Sequence, residues 1–310
     1  MKTIFRNTPT GLTVVPEAVE NTWINVVDPS PEEIASLQQE LGVPQDYLTF
    51  ALDMDERART EKEDGVVLIV LRIPYFMGPN ADTPYNTLPL GIIITDKHVI
   101  TVCRAQNGVI NELLSGRVKG LSTAKRYRFV LQLLQGVAAR YLSYLREINK
   151  TVEVLEDKLQ LSMRNRELQD LLKYQKSLVY FTTALKSNEV MMERLRRSQL
   201  FKMYPEDEDL LVDVLTENQQ AIEMTNIASN ILSQMMDAFA SIISNNLNVV
   251  MKFLASFTII LTLPAMVASF YGMNVALPFQ DHPYAFWITM AISLALSASA
   301  AIVFWRRDWF

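Results

Sequence analysis

Tyr271, Gly272, Met273 and Asn274 form the one conspicuous polar motif in the C-terminal part of this 310-residue chain. They stand where a long apolar run ends and a short polar loop begins. A polar cluster at the mouth of an apolar segment suits a solute in transit, not the making of bonds. The run before it carries a second signal. Asn248, Met251, Ala255, Thr258, Thr262, Ala265 and Ser269 follow one another at alternating steps of three and four, so a helix puts them on one face. Most are small or hydroxyl-bearing, while the intervening positions are mostly large and apolar. Two readings stand side by side: close helix packing through small residues, or a set of such faces lining a watery path. Asn248, at the near end of the run, leans toward the path. Two spans cannot enclose a conduit, so that reading requires several copies. Catalytic signatures are lacking, with no phosphate-binding glycine loop, nucleophile elbow or paired metal-ligand histidines.

The elements that must hold these residues are two apolar segments, from about Val249 to Phe270 and from about Ala285 to Trp305. Each is about 20 residues, enough to cross a ~30 Å hydrocarbon core as a helix. Average composition, 49% hydrophobic and 20% charged, hides them. No Asp, Glu, Lys or Arg occurs from Phe253 to Gln280, nor from His282 to Trp305. The opening residues, Met1 to Asn7, lack the apolar core of a secretory signal. Lys252 precedes the first span and Arg306-Arg307 follow the second, which places both ends in the cytoplasm and the 272–284 loop outside. Trp287, Trp305 and Trp309 lie near span ends, where indoles favour the interface. The expected location is therefore the cell membrane, crossed twice. Cys103 has no partner for a disulfide and fits a reducing cytosol as a packed residue.

Upstream, residues 1–120 read as a cytoplasmic α/β domain. Thr22 to Val27 is a strand candidate. Ser30-Pro31-Glu32-Glu33 is a capping box opening a helix that should stop at Gly42. Gly65 to Ile73 suits a central strand, and Leu90–Ile94 and Val99–Cys103 flank a hairpin turn at 95–98. A helix around Val109 to Leu114 closes the domain. Residues 121–204 read as a helical hairpin. Its first helix carries the stripe Tyr127, Leu131, Leu134, Ala138, Tyr141, Leu145, Ile148, Val152, Leu155 and Leu159. Its second runs from about Arg166 to Lys202, with Asn188 its weak point. From Pro205, whose acidic followers suit a helix start, no Pro or Gly intervenes before Pro264. That predicts one stalk helix over 205–271, ~100 Å long at ~1.5 Å per residue, continuing into the first span. Its many polar residues, among them Asn218, Gln219, Gln220, Asn226, Asn230 and Gln234, predict bundling with copies of itself. Residues 285–310 hold the second span and a basic tail.

Tyr271-Gly272-Met273-Asn274 resembles the signature of the CorA family of divalent-cation channels. Asn248-Val249-Val250-Met251-Lys252 is similar to the Asn-x-Val-Met-Lys sequence at the same place in that family. Pro264, the acidic helix start and the tail Arg306-Arg307-Asp308-Trp309-Phe310 fit the same plan. Detailed identity covers about the last 70 residues, and the N-terminal half matches in layout. The resemblance implies a homopentameric funnel with an α+β cytoplasmic domain, the first span lining a pore and the second outside it. It implies transport of Mg²⁺, with Co²⁺ or Ni²⁺ as further cargo, and no organic cofactor. Mg²⁺ gives up its water reluctantly, so amide oxygens of Asn274 from several copies, with carbonyls aimed by Gly272, would greet the hydrated ion. Tyr271 and Met273 would hold the loop. Thr258, Thr262 and Ser269 would continue a weakly binding path. The resemblance also implies cytosolic sensing by acids between neighbouring copies. Asp213 matches one position, and Asp82 is the candidate opposite it; bound Mg²⁺ would hold the gate shut. One departure stands out, because Val275-Ala276-Leu277-Pro278 is neutral and Asp281 is the loop's only carboxylate.

Two alternatives accompany this reading. One is the zinc-transporting branch of the same superfamily, against which stand Met273 and the isolation of His98 and His282. The other is a two-span sensor or scaffold without transport. Beyond the ion, the partners implied are the bilayer and copies of the chain, and no nucleic acid.

Overall fold

The structure, a computed structural model, describes residues 1–8, 11–162, 165–198 and 204–309. The predicted end of the second hairpin helix, Lys202, and the last tail residue, Phe310, lie outside the described residues. Seven strands make one mixed sheet: β1 Lys2–Thr8, β2 Gly11–Val14, β3 Thr22–Val27, β4 Arg59–Glu63, β5 Val66–Phe76, β6 Tyr85–Ile94 and β7 His98–Cys103. Their order is β2-β1-β3-β7-β6-β5-β4, antiparallel throughout except for β3 and β7. The helices are α1 Pro31–Leu41, α2 Gln45–Thr49, α3 Gly108–Leu114, α4 Arg126–Ser162, α5 Asn165–Arg197, α6 Pro205–Tyr271 and α7 Ala285–Arg306. Two compact units result, Met1–Gln234 and Met235–Phe310, and α6 contributes to both.

In the first unit the sheet separates two helical layers. Ile24, Val26, Leu68, Val70, Ile93, Ile100 and Val102 pack with Ile34 and Leu37 of α1 and Leu48 of α2. The strand period of two turns Trp23 to the other face, where its ring lies 5.1 Å from that of Phe129 on α4. Ser30 and Glu33 form the predicted capping box, and Gly42 ends α1 with φ 63°. The 95–98 turn joins β6 to β7, with Thr95 N–H donating to His98 O at 3.0 Å. Gly91 in β6 is required by close approach, since a Cβ there would lie 2.8 Å from the Ala51 methyl. Cys103 is buried, which raises its thiol pKa. On α4, nine of the ten stripe positions are buried and Tyr127 is half-buried.

Asn188 is not a weak point. α5 runs straight through it, because its amide does the work of a missing strand neighbour. Arg72 of β5 lies just beyond the reach of β4, whose pairing with β5 stops at Arg59 opposite Val70, so its backbone groups on that side meet no strand. The Arg72 N–H donates to Asn188 Oδ1 at 2.8 Å, and Asn188 Nδ2 donates to Arg72 O at 2.8 Å. The buried Tyr141 hydroxyl adds a second bond to that carbonyl at 3.1 Å, and desolvation holds the phenol well above its usual range.

The stalk helix also finds partners in its own chain. Leu211, Val214, Asn218, Ala221, Thr225, Ala228 and Leu232 alternate by three and four and are all buried. Asn218, expected to face another copy, donates instead to Leu185 O of α5 at 3.2 Å. Gln175 of α5 donates to Ser233 at 2.9 Å. The opposite side of this segment exposes Val212, Ile227 and Ile231.

Candidate functional site

In the second unit α6 presents two contrasting sides. Ser256 is fully buried, and Ile260, Leu263, Pro264, Val267 and Tyr271 are half-buried, which marks the side turned to α7. Asn248, Met251, Ala255, Thr258, Thr262, Ala265 and Ser269 are all exposed. At about 100° per residue, the mean direction of this stripe lies roughly half a turn from the α7 side. The small residues of the stripe therefore do not serve packing between the chain's own two spans. That closes one of the two readings within a single chain.

The hydroxyls on the stripe have a defined polarity. Thr258 Oγ1 donates to Leu254 O at 2.8 Å and Thr262 Oγ1 to Ile259 O at 3.0 Å. With the proton committed to the helix's own backbone, each oxygen keeps lone pairs to offer outward. Water held by a cation presents its protons outward, so such oxygens are matched to it.

Pro264 sits inside α6. It has no N–H for the carbonyl four residues earlier, which is that of Ile260. In an apolar span such a carbonyl needs another donor. Ser297 of α7 supplies it, with Oγ 3.3 Å from Ile260 O. The sequence marked Pro264 but gave no hint of Ser297, whose partner is 37 residues away.

At the end of α6 the Gly272 N–H donates to Ala268 O at 3.0 Å and to Ser269 O at 3.2 Å, and Met273 N–H to Phe270 O at 3.1 Å. Gly272 is not in the left-handed region. A Cβ there would meet the Ala268 and Ser269 carbonyls at 3.5 Å, an ordinary contact. Among the described residues of one chain, nothing demands a glycine at this position. Asn274 is exposed, and no described residue bonds its side chain. Asp281 is exposed as well.

Comparison with known proteins decides the family. A family model described as CorA-like Mg²⁺ transporter protein matches residues 19–307. The chain belongs to the CorA family. It is 28% identical over 297 residues to the cobalt/magnesium transport protein CorA of Methanocaldococcus jannaschii, covering 93% of this chain and 90% of the relative. The complete structure of the CorA magnesium transporter from that organism superposes with a TM-score of 0.86 at 25% identity, covering 100% of this chain and 99% of that one. The ZntB cytoplasmic domain from Vibrio parahaemolyticus shares the fold, with a TM-score of 0.61 at 14% identity over 78% of this chain and 98% of that one.

This CorA-family chain is thus a membrane protein of an ion-transport family, with an α+β domain, a long helix and two apolar C-terminal helices that qualify as spans. Its sensor candidates, Asp82 and Asp213, are both exposed. Lys173 is held above the usual lysine range first by Asp170 and, to a lesser degree, by Asp82. Among the described residues, no three His, Cys, Asp or Glu side chains of one chain converge to hold a metal. His98 serves the core, with Nδ1 2.9 Å from Thr22 Oγ1 and its pKa lowered by burial.

Proposed function

We propose that this CorA-family protein conducts hydrated divalent cations, Mg²⁺ first and Co²⁺ or Ni²⁺ after it, through a homopentamer whose pore is lined by α6. The observation that carries the reading is the direction of the stripe. Its hydroxyls and small residues point away from α7, so they are free to face an axis shared with other copies. In hydrocarbon the outward lone pairs of these hydroxyls would stay unmatched, whereas around a watery path they have partners. The exposed Val212, Ile227 and Ile231 on the upstream part of the same helix supply apolar surface for neighbours.

In this reading Asn274 places an amide oxygen from each copy at the outer mouth, where it accepts hydrogen bonds from the ion's water. Neutral oxygens hold a divalent ion weakly enough to release it. Crowding between copies, in place of any strain within one chain, gives Gly272 its role. Tyr271 and Met273 brace the loop, and Asp281 supplies the only carboxylate charge there. Residues 1–120 and 121–204 form the cytoplasmic α/β domain and hairpin, 205–271 the stalk and first span, 272–284 the outer loop, and 285–310 the second span and tail. Both termini lie in the cytoplasm.

Regulation by cytosolic Mg²⁺ is assigned to Asp213 of one copy facing Asp82 of the next. Hard carboxylate oxygens suit that ion. Zinc transport is the weaker alternative. The zinc-named neighbour shares the fold alone, and the relative matched along nearly the whole chain is named for cobalt and magnesium.

Uptake of Mg²⁺ or radiolabelled Ni²⁺ into vesicles holding the purified protein tests the assignment. Asn274→Ala is expected to abolish flux, and equal flux in both proteins removes the mouth from Asn274. A wild-type protein that passes no ion favours the two-span sensor or scaffold. With Mg²⁺ on the cytoplasmic side, Asp213→Ala should relieve inhibition; inhibition as strong as wild type excludes that acid.

A further inference from the structure

The loop between the motif and α7 contains a turn that one of its own residues disfavours. Gln280 N–H donates to Leu277 O at 3.3 Å, with Pro278 in second place and Phe279, at φ 66°, in third. This is the pattern of a type II turn, whose third place ordinarily takes glycine. At that φ a Cβ crowds the backbone, and for a bulky side chain the conformation is a true outlier. The Phe279 ring is exposed, so burial within the chain does not compensate.

Two side chains hold the turn in place. Gln280 Oε1 accepts from Leu277 N–H at 3.0 Å, so residues 277 and 280 are joined twice. Tyr271 Oη donates to Pro278 O at 3.0 Å. Tyr271 is also the last residue of α6. The backbone from 271 to 278 is therefore a closed loop, anchored at the helix end and at the turn, with Asn274 in its middle. Strain that surrounding contacts over-determine is a mark of pre-organised sites.

We propose that Gln280 is a positioning residue for the outer mouth: with Tyr271 it clamps the strained Leu277–Gln280 turn and so fixes where the Asn274 amide points. This role rests on the assignment of Asn274 to the mouth. In a loop with a single carboxylate, discrimination between ions then depends on where neutral oxygens stand, and the clamp sets that placement.

The test uses the full-length protein in vesicles, with Mg²⁺ and radiolabelled Ni²⁺ as probes. Gln280→Met keeps the side-chain length and removes the acceptor. Loss of one such bond should raise the half-saturating Mg²⁺ concentration about five-fold and blur the preference between the two ions, while maximal flux stays near wild type. Adding Phe279→Gly to Gln280→Met should restore both, because glycine adopts positive φ without a brace. Amide exchange over residues 275–280 should quicken in the single variant and slow again in the double one. Wild-type saturation and preference in Gln280→Met, with flux still abolished by Asn274→Ala, overturn the positioning role and leave the transport reading intact. Failure of Phe279→Gly to rescue also overturns it. Equal flux in wild type and Asn274→Ala removes the mouth assignment and the positioning role together.

Discussion

Asn188 and Asn218, on helices of the first unit, turn inward to their own chain, whereas Thr258 and Thr262, on α6 in the second unit, stand exposed. Asn188 and Asn218 both sit on long helices, both are buried, and each satisfies backbone of another element. Thr258, Thr262 and Asn274 also sit on or beside a long helix, yet all three are exposed, and the two threonines bond only carbonyls of their own helix. In water an outward polar residue is unremarkable. Within a membrane span it is costly unless something polar meets it. The same residue types thus serve contacts between elements in one unit and stand exposed in the other, and the surrounding solvent sets what that exposure costs.

That contrast can be broken at several points. The largest effect is expected at Asn188→Ala, which leaves the Arg72 N–H buried and unmatched. It should lower folding stability by about 2–3 kcal/mol, read from denaturation of the purified protein, while flux per folded molecule stays unchanged. A stability loss accompanied by altered ion preference would show that the two units are not separable in this way. The reverse pattern is expected for Thr258→Val combined with Thr262→Val. These changes keep shape and remove outward acceptors, so flux should fall about tenfold, equivalent to ~1.4 kcal/mol, with stability intact. Undiminished flux would return the stripe to a packing role. Ser297→Ala sharpens the comparison, being a membrane polar group that does serve its own chain. Loss of its bond to Ile260 O should cost ~1 kcal/mol, measurable as a lower Tm in detergent with flux preserved.

Much of the helical plan was legible because helices and spans announce themselves locally. The expected stalk from Pro205 and the second span from Ala285 appear as α6 Pro205–Tyr271 and α7 Ala285–Arg306. The capping box of α1 and the burial of the α4 stripe were equally readable. β1, β2 and β4 were not, since they are short or only half-buried and carry little alternation. β5 and β6 run longer than expected because strand pairing carries them across Pro74 and Pro89, residues that read as breaks. Asn188 looked weak for a similar reason: propensity sees an asparagine in a helix and cannot see the Arg72 backbone, left without a strand neighbour where β4 ends, that needs it.

In the second unit, the sequence singled out Asn274 and Pro264 but not the residues whose bonds and backbone angles surround them. Ser297, Gln280 and the left-handed Phe279 carry no periodic signal, and their meaning lies in a single hydrogen bond or backbone angle.

By itself the sequence determined which segments are apolar enough to leave water, where the long helices begin and end, and which family the chain resembles. Those properties depend on neighbours three or four residues away, or on the plain run of side-chain types. Only the tertiary structure decided which side of α6 meets α7, how the carbonyl freed by Pro264 is satisfied, and why Asn188 belongs where it is. Each of those depends on a backbone group brought close by folding, and hydrogen bonds act only over about 3 Å.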